Sequence, residues 1–315
     1  MRASICRYKN GARGAFTLTL DDGCYYDTYV TVRRLFDEIF EETGILPKAT
    51  VGITVDFLNE RLISLFSELF ELGYLDMASH SVTHCVPYNV SEPDEKQEND
   101  LILSRARLEE IFKGQRAHFF IPPGARASNE SLELIKKHYV ACRNGSEGLN
   151  YPGELDWYSI KTFTAMLKRE PREYIEIIDK AVSEGAWCVQ MNHWLTEKTE
   201  DVFHSQSLSS FEAECRHLGS LIKSGDIWLA SLNEAYLYLK EWEASTLDVL
   251  DNKISINCPL SADLFDFPLT LCLNLPSNAR AQIIDKDGGV LPATLIKRGA
   301  DTLVDLRPSE TLIIS

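Results

Sequence analysis

The chain has 315 residues, of which 44% are hydrophobic and 25% charged, the composition of an ordinary globular protein. A formal net charge of −15 sets its surface against phosphate backbones and anionic lipid, which argues against nucleic acid and membrane surfaces as partners. No run is long and apolar enough to span a bilayer, and the length fits one large domain, alone or with a small one.

Residues 1–15 hold Arg2, Arg7, Lys9 and Arg13 but no apolar core of leader length, so the chain reads as cytoplasmic, with a secreted mature form as the alternative. Ala15–Leu20 is a short β-rich run. Tyr29–Glu42 places Val32, Leu35, Phe36, Ile39 and Phe40 at helical spacing. Thr50–Val55 is β-rich. Leu62–Leu72 is helical, with Gly73 as its stop, and Leu75–Ser79 is a strand. The acidic stretch Ser91–Asp100 reads as a solvated loop and helix entry. Leu101–Phe112 is helical and His118–Ile121 a strand. Ser131–His138 is helical, Tyr139–Cys142 and Trp157–Phe163 are extended, and Tyr174–Ser183 is helical. Trp187–His193 is extended, Phe211–Ser224 helical, Ile227–Ala230 extended and Leu232–Trp242 helical. Repeated β-then-α units predict a parallel sheet covered by helices, and about seven strands predict a barrel over residues 1–244. From 245 to 315 the pattern changes to short strands separated by turn residues, which predicts a small all-β module of sandwich type. Eight cysteines are scattered, none in a C-x-x-C pair, and read as reduced thiols.

Two stretches carry chemistry. Residues 17–23 read T-L-T-L-D-D-G, a strand that ends on two adjacent carboxylates. Neighbouring strand residues point to opposite faces, so Asp21 and Asp22 should have different roles, and a nearby cation would relieve their repulsion. An Asp-Asp-Gly turn is the plainer reading of those residues alone. Residues 80–84 read H-S-V-T-H. Two imidazoles at i and i+4 share one face of a helical turn and can grip one metal ion, with a carboxylate from another strand end as third ligand. Such a set leaves coordination positions open, as catalytic Zn²⁺ requires, while Co²⁺ or Ni²⁺ could use the same ligands.

Taken together, T-L-D-D-G and H-S-V-T-H resemble the first two motifs of the NodB-homology polysaccharide deacetylases, carbohydrate esterases that remove N-acetyl groups from amino sugars. The resemblance covers about Ala15 to Trp242 and implies a distorted (β/α) barrel. It implies Asp21 as general base and Asp22, His80 and His84 as metal ligands. M-N-H at 191–193 matches the family's Leu-x-His, implying His193 as general acid, and D-W at 156–157 implies Asp156 as the residue that orients it. The third motif departs. F-F-I-P-P-G puts Ile121 where the family has the arginine that holds the base, leaving Arg126 and Arg143 as candidates for that task. The motif's tyrosine is missing as well, and since proline has no N–H, Gly124 is the candidate oxyanion donor. Tyr25 and Trp194 stand beside motif residues, where aromatic faces suit sugar rings and core packing alike. Cys24 and Cys85 could each offer a thiolate, although small apolar filler is the expected role.

The expected activity is metal-dependent removal of N-acetyl groups from an amino-sugar-containing poly- or oligosaccharide, releasing acetate. Two alternatives stay open: a C–N hydrolase acting on a non-sugar amide, and a catalytically degenerate carbohydrate-binding protein. The tail has Phe265 and Phe267 as its only aromatics, so packing or homo-oligomer assembly is expected of it rather than sugar binding.

Overall fold

The computed structural model describes residues 2–115, 118–144, 146–197, 205–276 and 278–315. They form two compact units. One is Gly14–Asn233, and the other joins Arg13 and the residues before it to Glu234–Ser315.

The larger unit is a parallel sheet wrapped by helices. Its strands are β1 (Gly14–Leu20), β2 (Ala49–Ile53), β3 (Leu75–Ser79), β4 (Phe119–Phe120), β5 (Ala141–Cys142), β6 (Phe163–Thr164) and β7 (Trp187–Asn192). They lie in the order β5-β4-β3-β2-β1-β7-β6, every neighbouring pair parallel. An eighth strand, β8 (Ile227–Leu229), pairs with Gly14–Phe16 of β1, whereas β2 pairs with Leu18–Leu20. Six helices connect successive strands: α1 (Tyr26–Thr43), α2 (Glu60–Glu71), α3 (Glu95–Ile111), α4 (Asn129–His138), α5 (Pro171–Glu184) and α6 (Leu208–Ser224). This is the expected distorted (β/α) barrel. The distortion lies in β4, β5 and β6, each cut to two residues.

Local chemistry accounts for these elements. All seven residues of β1 are buried, as a central parallel strand requires. Its two polar residues are satisfied inside the sheet: Thr17 accepts from Trp187 Nε1 at 2.9 Å, and Thr19 donates to the Gln190 carbonyl at 2.8 Å. In α1, Val32, Leu35, Phe36 and Ile39 are buried as the period predicts, but Phe40, at the margin of that stripe, is 43% exposed. Asn59, Asp94 and Ser128 cap α2, α3 and α4 with their side chains. The predicted extended run Trp157–Phe163 is mostly turn, since Ser159 N–H bonds back to the Asp156 carbonyl, and only Phe163 enters a strand.

The smaller unit holds two antiparallel sheets, the all-β module expected of the tail. One orders Ala3–Ile5, Leu269–Leu273, Asp301–Leu306 and Ile296–Arg298. The other orders Thr246–Leu250, Lys253–Asn257, Thr311–Ile314, Ala281–Ile284 and Val290–Pro292. The N-terminal strand Ala3–Ile5, too short to carry a pattern, joins this unit by pairing with Leu271–Leu273. Phe265 and Phe267 pack on Tyr236 and Tyr238, at ring separations of 5.9 and 6.4 Å. Among the described residues, no helix is long and apolar enough to cross a membrane.

Candidate active site

Because the strands are parallel, their C-terminal ends share one rim. β1 runs into Asp21 and Asp22, β3 into His80, and β7 into His193. In register, Leu20 pairs with Val51 and Asn192, and Ile53 with Ser79, so these exits are adjacent. Backbone bonds continue past the strands: Asp21 N–H donates to the Asn192 carbonyl and His80 N–H to the Ile53 carbonyl, both at 2.8 Å.

Asp22, His80 and His84 converge. Their ligand atoms all lie within 4.8 Å of one another. Each histidine's Nε2 stands 3.5 Å from Asp22 Oδ1. Donors bound about 2.1 Å from one tetrahedral ion lie about 3.4 Å apart, which both Asp22–histidine separations match, so the three could hold a metal ion. His80 Nδ1 lies 2.7 Å from the Ile121 carbonyl, which fixes the tautomer that donates there and leaves Nε2 as a metal-ready lone pair. One expectation is corrected. His80–His84 is not a helical turn but an irregular loop, and its histidines meet because the backbone folds back on itself. Asp22, Ser81 and His84 all take left-handed φ values, of 71°, 71° and 63°. Such strain collects at functional sites, and two of these three residues belong to the converging set. Ser81 Oγ accepts from His84 N–H at 2.8 Å and locks the bend.

Asp21 is not part of that triad and has a different partner. It is 2% exposed and grips Arg143, which is fully buried. Arg143 Nη1 donates to Asp21 Oδ1 at 2.8 Å and to Thr19 Oγ1 at 2.5 Å, while Nη2 donates to Asp21 Oδ2. Burial alone would raise the Asp21 carboxyl. The Arg143 charge, with His80 and His193 adding to it, outweighs burial and lowers it to about 2. Of the two candidate arginines, Arg143 on the residue after β5 makes this pair, and Arg126 is exposed. Ile121, in the family arginine's place, supplies a carbonyl to His80 instead.

His193 is half-buried beyond the end of β7. Burial pushes its imidazole below the ordinary value, and Asp21 and Asp22 pull it back upward. Asp156 is not brought to it. That residue is exposed, and its carboxylate accepts from Tyr158 N–H at 2.9 Å, an Asx turn. Tyr25 and Trp194 stack face to face, 5.5 Å apart and 4° from parallel. Gly124 is exposed within the turn Pro123–Ala125, with φ of 72°. Cys24 and Cys85 stand outside the triad; burial pushes the Cys24 thiol up to about 11, so it stays protonated.

No protein-family model and no curated protein matches the sequence. Solved structures that resemble the fold include the Bc1960 peptidoglycan N-acetylglucosamine deacetylase, at 11% identity and a TM-score of 0.45 over 72% of this chain and 89% of that one. The peptidoglycan deacetylase PdaC from Bacillus subtilis is 12% identical, with a TM-score of 0.43 over 73% of this chain and 92% of its own. A Streptococcus mutans CE4 esterase is 10% identical, with a TM-score of 0.40 over 67% and 81%. Fold likeness does not assign chemistry, which has to come from the site.

Gly52 on β2 escaped the reading of the sequence. A Cβ there would lie 3.3 Å from Asp21 Oδ1 and 3.1 Å from Ile121 Cδ1. The missing side chain leaves room for the Asp21 carboxylate, and a lone glycine in an apolar strand gives no other signal of such a task.

Proposed function

We propose that this chain is a metal-dependent amide hydrolase of the polysaccharide-deacetylase type, which removes an N-acetyl group from an amino sugar and releases acetate. The observation that carries this reading is the division of the Asp-Asp pair: Asp22 joins His80 and His84 in a donor set of metal dimensions, while Asp21 is held ionised by a buried arginine beside it.

In this reading Asp22, His80 and His84 hold the ion. Asp21 removes a proton from the water that attacks the acetyl carbon. A carboxylate of so low a pKa is a weak base and needs an acidic water. What a divalent metal, zinc first among the candidates, supplies when bound is Lewis acidity toward the acyl oxygen and a lowered pKa for water. Arg143 keeps Asp21 charged and fixes its angle. The Gly124 N–H is assigned to the developing oxyanion. His193 delivers a proton to the departing nitrogen as the C–N bond breaks, so that amide and water become acetate and amine. Tyr25 and Trp194 offer an apolar wall for the sugar ring. Asp156 is left without a role in this scheme.

The test is metal content and acetate release, measured on the protein and on two variants. The protein should hold about one zinc per chain after zinc loading and release acetate from N-acetylglucosamine oligomers. His84→Ala should lose the metal. Asp21→Asn should keep it and lose about 10³-fold in turnover. A protein that takes up no metal would sink the reading. Acetate release from small non-sugar amides alone would redirect it to another C–N bond.

A further inference from the structure

The buried face of α3 carries three polar residues beside Leu101 and Leu108, where a helix packed on a sheet should be apolar. Gln97, Asp100 and Ser104 recur at helical spacing and are 2%, 6% and 0% exposed. Burying three polar groups is costly unless each finds a partner. Ser104 also meets Tyr139 OH at 3.0 Å and Gln97 also accepts from Ser131 Oγ at 3.3 Å, but each of the three has a partner on the stretch that carries the metal-ligating histidines, and both partners of Asp100 lie there. Ser79, just before His80, donates to Ser104 Oγ at 2.8 Å. Val82 N–H, midway between the two histidines, donates to Asp100 Oδ1 at 3.0 Å. Beyond His84, Tyr88 OH donates to Asp100 Oδ2 at 2.6 Å, and Gln97 Nε2 donates to the Pro87 carbonyl.

Asp100 is the centre of this clamp. Its two oxygens tie the middle of the loop to its far end across His84. The loop has no helix or strand of its own over 80–90. Two of its residues sit in the left-handed region, a conformation that persists only where the surroundings impose it. The bond to Val82 N–H is the side-chain restraint from outside the loop nearest to both bends.

We propose that Asp100 is a positioning residue for the metal site, fixing the His80–Tyr88 loop so that the His84 imidazole stands at Asp22 before the ion arrives. The proposal rests on the metal reading given above and extends it to a residue that touches neither ion nor substrate. It assigns to the polar stripe of α3 a task that fold stability alone does not require, since apolar residues of similar shape would serve packing as well.

The experiment is zinc affinity of the metal-free protein, read by competition with a chromophoric chelator, with the urea midpoint of the metal-free form recorded beside it. Asp100→Ala should weaken zinc binding tenfold or more in protein that is still folded, about what loss of an outer partner costs at other metal sites. Asp100→Asn keeps an oxygen for Val82 N–H and should stay within about threefold of the parent by the same measure. Tyr88→Phe removes one of the two anchors with little change of volume and should give a smaller loss in the same direction, which also serves if Asp100→Ala does not fold. Unchanged zinc affinity in Asp100→Ala, or in Tyr88→Phe if the alanine variant is unfolded, would overturn the proposal and leave the metal reading standing. A parent protein that binds no zinc would overturn both.

Discussion

Arg143 and Asp21 depend on each other unequally. Arg143 is fully enclosed, and the carboxylate it holds is shut away from water as well. Replacing the arginine with methionine keeps the volume but leaves a buried carboxylate without its cation. We expect a loss of about 3 to 5 kcal/mol in unfolding free energy, measured by urea titration. Combining it with Asp21→Asn should recover part of that loss, since an amide carries no charge to strand. The pH dependence follows. Asp21 has a folded value of about 2 against 3.8 unfolded, so its stabilising contribution is present above 3.8 and disappears as the pH falls toward 2. Without Arg143 the largest opposition to burial is gone, the folded value rises, and the acid limb of activity should move to higher pH. A pH–rate profile of Arg143→Met that kept the parent's acid limb would contradict Asp21 as the base. At this scale contiguity decided what could be read. Asp21 and Asp22, and likewise His80 and His84, lie within five residues of one another and form patterns. Arg143 comes from 122 residues away and stood in the sequence only as one of two candidates. The Asp156-Trp157 dipeptide held too little information, and Asp156 serves a turn instead.

Elements were legible where their periods were clean. Leu75–Ser79 is a strand over the residues its pattern marks. α3 begins at Glu95, six residues before the apolar period does, because its buried face starts with Gln97 and Asp100 rather than with leucine. The two-residue strands β4 and β5 lie inside His118–Ile121 and Tyr139–Cys142, the runs their patterns mark, whereas Trp157–Phe163 is β-rich in composition yet bends, and only its last residue enters β6. β2 shows what an element contributes beyond its residues. Its five positions are all buried, and Gly52 faces the Asp21 carboxylate. Gly52→Ala should push the Asp21 carboxylate or the Ile121 side chain aside by a few tenths of an ångström. We expect kcat to fall by one to two orders of magnitude, since small misplacements of a reacting group are costly, while zinc content stays at the parent level. Loss of zinc in that variant would mean that β2 shapes the triad rather than the base.

On the scale of the whole molecule, alternation of β and α predicted the larger unit, and the break in that alternation predicted the smaller. What no pattern revealed is a second polar centre in the barrel, behind β7. Glu214 on α6 is fully buried, and its Oε2 accepts from Gln206 Nε2 at 2.6 Å and from Gln190 Nε2 at 3.2 Å. The amide of Asn192, the residue before His193, donates to Gln206 Oε1 at 2.7 Å. Among the described residues no cation pairs with Glu214, and its titratable neighbours Cys188, Cys215 and Tyr174 are all pushed up by burial and stay neutral. Burial therefore wins over the two amide donors and raises the Glu214 carboxyl from 4.5 to about 7. A folded value above the unfolded one means that its contribution to stability is complete below the unfolded value and is lost as the pH rises through the folded one. The shift corresponds to about 3 kcal/mol, a sizeable share of the 5 to 15 kcal/mol that holds a typical domain together. Glu214→Gln keeps the shape and removes the titration. Measured by urea at about pH 5 and about pH 8, the parent should lose 2 to 3 kcal/mol more than the variant as the pH rises. Equal losses in the two proteins would mean that Glu214 is ionised in the folded barrel, and that the amides around it compensate a buried charge.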